Sequence, residues 1–334
     1  MEYVKFGNTG LDVSRICLGA MGFGDPEKWI HKWVLDEEKS RPVIKKAIDL
    51  GINFFDTANI YSMGESERIL GKALKDYANR DDIVLATKVH QTMRPNRPNG
   101  GGLSRKVIMS EIDHSLERLE TDYVDLYIIH RWDYDTPIEE TMEALHDVVK
   151  SGKARYIGAS AMYAWQFQKA QRVAERNGWT KFVSMQNHYN LIYREEEREM
   201  IPFCQDEKIA ITPYSPLASG RLTRDWSQTT FRSETDTVQQ SKYDTMMESD
   251  YGIVKRLGEV AKNRHTTKDK VALAWLLNQD QVVAPIIGAQ KESHIESSVA
   301  ALDIKLAPME MHYLEELYIP HPVVGALSNP KSNY

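Results

Sequence analysis

Eight short β-branched runs separated by amphipathic stretches constrain this chain more than any other feature. The runs lie at 15–18, 53–55, 83–87, 124–129, 154–158, 183–185, 209–212 and 282–287, and their length and composition favour strands over buried helices. The segments between them carry a helical period. Ile69, Leu70, Ala73 and Leu74 share one face, as do Ile108, Ile112, Leu116 and Leu119 after Ser104. Ile138, Met142, Leu145 and Val149 follow Thr136-Pro137-Ile138-Glu139, where a Thr cap, a Pro at the first helical position and a Glu at the third coincide.

Strand and helix alternating eight times imply parallel strands joined by right-handed crossovers, which close most simply into a (β/α)8 TIM barrel, one domain over residues 1–334. An open doubly wound sheet is the second architecture. Ahead of the first run, 3–6, Gly7-Asn8-Thr9-Gly10 and 11–13 read as a β-hairpin that plugs one end of the barrel. Two polar stretches interrupt the alternation, 92–102 and 221–250, and loops of this length are either lids or disordered.

Composition removes several functions. With 42 Lys and Arg against 48 Asp and Glu, the net charge is −6, so no general basic field draws in nucleic acid or an anionic membrane surface. The longest apolar run, 271–277, is far shorter than the roughly 20 residues that span a bilayer. The first residues hold no apolar signal region, so a cytoplasmic location is expected. Cys17 and Cys204 fit neither a disulfide framework nor a zinc pattern, and two buried thiols are expected, with no metal site.

In a barrel of this kind the chemistry sits at the C-terminal ends of the strands. Asp56, Lys88 and His130 end the second, third and fourth runs, and Tyr61 stands in a turn just beyond Asp56, where it can lean back over the mouth. A phenol with a pKa of about 10 holds a proton at neutral pH, an ammonium beside it lowers that pKa, and a carboxylate keeps the ammonium charged. Tyr61 is then the acid, Lys88 its tuner, Asp56 the anchor and His130 a group that orients a carbonyl oxygen. Protonating that oxygen suits hydride addition to an aldehyde or ketone. Side chains supply no hydride, so a nicotinamide cofactor is implied.

No dinucleotide fingerprint or P-loop is present to hold it. Gly288-Ala289-Gln290-Lys291 leads into a helix opened by Ser293 with Glu296 as a capping box, and Lys291 can meet a 2′-phosphate there. The loop from Ser215 through Leu217 and Gly220 to Arg221 is a second phosphate candidate. Tyr214 can face the nicotinamide ring, and Ser160 and Gln186 can read its carboxamide.

These residues resemble the aldo-keto reductase superfamily over nearly the whole chain. The likeness is carried by Gly51-Ile52-Asn53-Phe54-Phe55-Asp56-Thr57-Ala58 with Tyr61, by Ala86-Thr87-Lys88, by Asp122-Tyr123-Val124-Asp125-Leu126-Tyr127-Ile128-Ile129-His130-Arg131-Trp132, and by Tyr214-Ser215-Pro216-Leu217. The resemblance implies an NADPH-dependent carbonyl reductase, an oxidoreductase on a (β/α)8 barrel, with the catalytic tetrad on Asp56, Tyr61, Lys88 and His130. It implies nicotinamide contacts at Ser160, Gln186 and Tyr214, and contacts to the rest of the cofactor along Ser215, Leu217, Gly220, Arg221, Gly288, Lys291 and His294. It looks nearest to bacterial members of the branch that also holds potassium-channel β-subunits.

Two departures bear on cofactor binding. Ala161 stands where many relatives carry Asn, and Ser297-Ser298 where relatives often carry a Glu-Asn pair; NADH use stays open, with Lys291 keeping NADPH ahead. Trp29, Trp132 and Tyr163 are the expected walls for a small-molecule carbonyl substrate, and a homo-oligomer is left open. Two rival readings are a Schiff-base lyase or isomerase using Lys88 on a sugar phosphate, and a nucleotide-sensing subunit with vestigial turnover.

Overall fold

A computed structural model describes residues 1–324 of the protein. Strands β1 (Tyr3–Lys5) and β2 (Asp12–Ser14) pair antiparallel as the expected hairpin. Their turn is sealed against the barrel. Gly7 has φ +59°, and a Cβ there would meet the backbone N of Ala210 at 2.7 Å, so only glycine lets the turn approach so closely. Phe6 and Val13 are fully buried, and the Phe6 ring meets Phe54 edge-on at 5.6 Å. The hairpin therefore closes the end of the barrel at which the strands begin.

The barrel strands are β3 (Cys17–Gly19), β4 (Phe54–Asp56), β5 (Val84–Val89), β6 (Val124–Ile129), β7 (Ala154–Ser160), β8 (Phe182–Gln186), β9 (Ala210–Ile211) and β10 (Ile286–Gly288). They form one parallel sheet in the order β10-β3-β4-β5-β6-β7-β8-β9. The two ends meet through parallel bridges of Ile211 with Val282 and Tyr214 with Ile286, and Ile286 N donates to the Pro213 carbonyl at 2.8 Å. The sheet is a (β/α)8 barrel, as expected, although the eighth run pairs mainly at its C-terminal end.

Helices α1 (Glu37–Asp49), α2 (Glu65–Tyr77), α3 (Arg105–Leu119), α4 (Ile138–Lys150), α5 (Ala164–Asn177) and α6 (Met200–Asp206) follow successive strands. After β9 come α7 (Phe231–Thr235), α8 (Thr237–Tyr243), α9 (Met247–Asn263) and α10 (Lys268–Leu277); α11 (Glu292–Ala300) and α12 (Pro308–Glu315) follow β10. Phe55, Leu85, Tyr127 and Ile129 point outward into the main core beneath these helices, whereas Phe54, Val84, Ala86, Leu126 and Ile128 fill the barrel interior with Phe6 and Cys17. Cys17 and Cys204 are both buried free thiols. Among the described residues no helix is long and apolar enough to cross a membrane.

Three local expectations need correction. Thr136 does not cap α4: its hydroxyl donates to Asp133 Oδ2 at 2.8 Å, because that carboxylate, also bonded by Leu103 N, ties the two neighbouring loops together. Ser293 and Glu296 do not form a capping box. Lys291 precedes α11 as its N-cap, and the Glu296 carboxylate is drawn sideways by Lys46 Nζ at 2.8 Å. The stretch 221–250 is folded, with α7 and α8 inside it and buried Asp236 accepting from Trp33 Nε1 at 3.1 Å.

Candidate active site

Asp56, Lys88 and His130 come together because successive strands of a parallel sheet end at one rim. Gly19 pairs with Asp56, Asp56 with Ala86, and Lys88 with Ile128, so Lys88 and His130 each stand one inward step beyond the apolar layer. Lys88 is fully buried, and its three N–H groups have three acceptors: Asp56 Oδ1 at 2.5 Å, the Thr57 carbonyl at 2.7 Å and Tyr61 Oη at 3.3 Å. An ammonium has three donors, so the site satisfies it completely. The phenol oxygen accepts from Lys88, which leaves its own proton free to be donated elsewhere. The His130 ring lies 5.6 Å from the Tyr61 ring at 81°, and its Nδ1 is buried without a partner.

A strained turn aims Tyr61. The residues behind it, Ser62 and Met63, sit at φ +48° and +55°, a left-handed conformation that side chains seldom adopt, and Gly64 follows at φ +92°. The surroundings enforce it. Asn59 Nδ2 donates to Glu111 Oε2 at 3.0 Å, Thr87 Oγ1 to Glu67 Oε1 at 2.6 Å, and Arg118 Nε to Glu67 Oε2 at 2.5 Å, all behind the strand ends.

The electrostatics correct one expectation. Burial raises the Tyr61 pKa above its ordinary value and outweighs the pull of Lys88, whose charge is offset by Asp56. The phenol is thus held protonated. Burial alone would push Lys88 down, but Asp56 and Tyr61 together leave it above its usual value, so it stays an ammonium. His130 is held well below the usual imidazole range by burial first and by Arg131, Lys88 and His90 after it, and it is neutral at pH 7.

Gln186 has a role that sequence did not reveal. Its amide donates to Asp56 Oδ2 at 2.9 Å, so both carboxylate oxygens are bound, one by Lys88 and one from across the barrel. Ser160 pairs with Gln186 in register, and its Oγ is buried with no hydrogen-bond partner. A buried hydroxyl with nothing to bond is what a carboxamide at this position would satisfy. Ala161 beside it lies at φ +45°, where Asn is easier to accommodate than Ala. Tyr214 stacks with His188 at 5.2 Å and 8°.

The phosphate candidates form two groups. Gly288 is exposed, and a Cβ there would meet no atom within 4 Å, so the loop before α11 is open. Lys291, Ser293 and His294 line a cleft there with Thr267, Asp269 and Lys270. Ser297 Oγ donates to Asp269 Oδ2 at 2.5 Å and Ser298 Oγ to the His294 carbonyl at 2.8 Å. In the second group Ser215, Ser219 and Gly220 have positive φ, Ser219 Oγ is buried without a partner, and the N–H groups of Gly220 and Arg221 bond to carbonyls of the turn. The Arg221 guanidinium is bound by Asp244, and Leu217 is half-buried against the core.

Of the expected walls, Trp29 reaches the tetrad: its ring lies 6.4 Å from that of Tyr61, and its Nε1 is buried without a partner. Trp132 packs on Trp165 at 6.2 Å, and Tyr163, 36% exposed, precedes α5. Both stand on the rim.

Comparison with known proteins agrees with the geometry. Residues 15–319 match the family model described as the aldo/keto reductase family. The versiconal hemiacetal acetate reductase of Aspergillus parasiticus is 46% identical over 97% of this chain and 98% of its own. An aldo-keto reductase of Fusarium vanettenii is 44% identical over 97% of this chain and 93% of its own. A Schizosaccharomyces pombe protein named for aryl-alcohol dehydrogenase activity is 42% identical over 97% and 98%. These relatives are fungal and none of the three is named as a channel subunit, so the expected nearness to bacterial members of the channel β-subunit branch is not supported.

Proposed function

The chain belongs to the aldo/keto reductase family, and from that footing we propose that it reduces an aldehyde or ketone to the alcohol, reversibly, with Tyr61 as proton donor. The observation that carries this reading is the Lys88 ammonium with its three donors aimed at Asp56, Thr57 and Tyr61, so that the phenol oxygen accepts from Lys88 and its own proton is available to a substrate. When bound, a reduced nicotinamide, NADPH ahead of NADH, supplies the hydride. Ser160 is the candidate partner for its carboxamide, Tyr214 for its ring, and Lys291 with His294 for a 2′-phosphate.

The chain's own residues then handle charge. As the carbonyl carbon is reduced, its oxygen gains negative charge, and Tyr61 Oη transfers a proton to it. Lys88 stabilises the phenolate left behind, and Asp56, fixed by Gln186, keeps Lys88 in place. Neutral His130 can donate a hydrogen bond to the same oxygen without carrying a charge into the pocket. Trp29, edge-on to Tyr61, is the candidate substrate wall beside the proton donor.

The Lys88 geometry opposes the Schiff-base alternative. Such a lysine must attack as a neutral amine, whereas Lys88 is fully buried against a carboxylate and held charged.

The test is cofactor oxidation across small aldehydes, diketones, sugars and aromatic ketones with both nicotinamide cofactors. Saturable turnover with at least one class is expected, and Lys291→Ala should weaken NADPH at least tenfold more than NADH. No turnover with any class would overturn the reductase reading; equal weakening of both cofactors would remove Lys291 from the 2′-phosphate.

A further inference from the structure

Two cations at the mouth have no ion-pair partner among the described residues. Arg131 follows His130 at the end of β6; one terminal nitrogen donates to the His130 carbonyl at 2.5 Å, while its Nε is buried with no acceptor. Lys242, in the last turn of α8, places Nζ 5.1 Å from the centroid of the Tyr214 ring. Among the described residues neither forms an ion pair, although most other buried or half-buried charges around the barrel do. The acid that acts on Lys242, Asp236, is already engaged by Trp33 Nε1, Gln239 N and Arg232, and faces His31.

Both cations adjoin the site, and Arg131 acts on Lys242. Arg131 adjoins His130, whose ring lies 5.6 Å from that of Tyr61, and Lys242 lies over the Tyr214 ring. The Arg131 charge favours the ionised forms of Tyr61 and Tyr214 and opposes protonation of His130 and His188. Lys242 is lowered to about 8, by burial first and by Arg131 next. Half-buried like charges without counter-charge are costly, and a bound anion relieves both at once. A carboxylate offers two oxygens that match the planar fork of an arginine.

We propose that Arg131 and Lys242 form an anion-recognising pair that selects carbonyl substrates bearing a carboxylate. The substrate class rests on the reductase reading given above. A cofactor phosphate is the other source of such an anion, but the phosphate candidates lie at 215–221 and before α11, whereas Arg131 adjoins His130 and Lys242 lies over Tyr214.

The experiment compares 4-carboxybenzaldehyde with its methyl ester in wild type, Lys242→Met, Lys242→Arg and Arg131→Met. Benzoate binding to each protein with NADP+ is measured alongside by calorimetry. Wild type should favour the acid at least tenfold in kcat/KM, consistent with the strength of charge-assisted hydrogen bonds. The ratio of acid to ester should fall about tenfold in both Met variants, benzoate affinity should fall with it, and Lys242→Arg should restore both. Equal kcat/KM for acid and ester in wild type would overturn the pair's role while leaving the reductase reading intact. A Lys242→Met protein that binds NADP+ more weakly with an unchanged acid-to-ester ratio would overturn it in favour of a cofactor phosphate. If benzoate bound wild type and was lost in both Met variants while neither aldehyde, nor any class in the cofactor-oxidation screen above, turned over, the anion site would stand and the reductase reading would fall.

Discussion

The two ends of the barrel are built from the same inward-facing columns and behave as opposites. Along β4 the column runs from Phe54 to Asp56, along β5 from Ala86 to Lys88, and from β6 onward from Ile128 to His130. Two residues of strand advance only about 6.6 Å, yet over that distance the interior changes from a dry apolar layer sealed by Phe6 and Val13 to an array of ionisable groups. The difference teaches that the apolar floor is part of the site: it excludes water from beneath Lys88 and makes any unpaired charge there expensive. Pairing of Lys88 with Asp56, and neutrality of His130, follow from that floor.

Substitutions at the two ends should separate chemistry from stability. Tyr61→Phe removes the proton donor alone, so kcat should fall by about 10²–10⁴, the usual weight of a general acid. Single-turnover reduction and NADPH titration check it, with affinity expected within about twofold of wild type. Turnover near the wild-type rate would take Tyr61 out of the mechanism.

At the sealed end, Phe6→Ala empties a fully buried ring position and should destabilise the fold by about 3–5 kcal/mol. Where the variant is still folded, kcat/KM should stay close to wild type. Urea unfolding paired with kinetics distinguishes these effects, and a kinetic loss matching that of Tyr61→Phe would break the contrast between the ends.

Gln186→Leu sharpens it from the other side. Asp56 Oδ2 loses its donor, and an unsatisfied buried acceptor costs about 1–3 kcal/mol. Activity should fall more than in Phe6→Ala, because Lys88 loses the fixed carboxylate that orients it. Unchanged kcat would mean that Lys88 alone positions Asp56.

The smallest expected effect is with pH. Both His130 and His188 are held well below their usual pKa by burial. The unfolded chain therefore binds more protons than the native one once pH drops below about 6.5, and stability, full above that pH, should decline as pH falls toward the depressed native values. Urea midpoints at pH 8.0 and 5.5 test the sign; His321, whose pKa is raised by Asp250 despite its burial, contributes in the opposite sense. Glu196, which burial raises to about 7, also opposes the histidines, since the native chain binds its proton where the unfolded chain does not. A midpoint that rises on acidification would mean that Glu196 and His321 outweigh the buried histidines.

The tetrad was legible because period-two alternation along each strand fixes which side chains face inward, and successive parallel strands end at one rim. The hairpin plug was legible from its Gly-Asn-Thr-Gly turn between apolar runs. Helix starts were less so: Thr136 and Glu296 carry capping chemistry, but Asp133 and Lys46, remote in sequence, compete for their side chains. The stretch 221–250 was polar enough to read as loop, and its helices are held by the buried contacts of Asp236 and Tyr243 rather than by propensity.

By itself, then, the order of apolar and polar residues determined the alternating strands and helices, the closed barrel, and the ionisable ends of β4 to β6. Only the tertiary structure decided that Gln186 holds Asp56 from 130 residues away, that burial outweighs Lys88 in holding the Tyr61 proton, and that Lys242 lies in the field of Arg131 with neither in an ion pair among the described residues. Periodicity is a local property of the chain, whereas hydrogen-bond partners and electrostatic fields depend on which distant segments fill the same small volume.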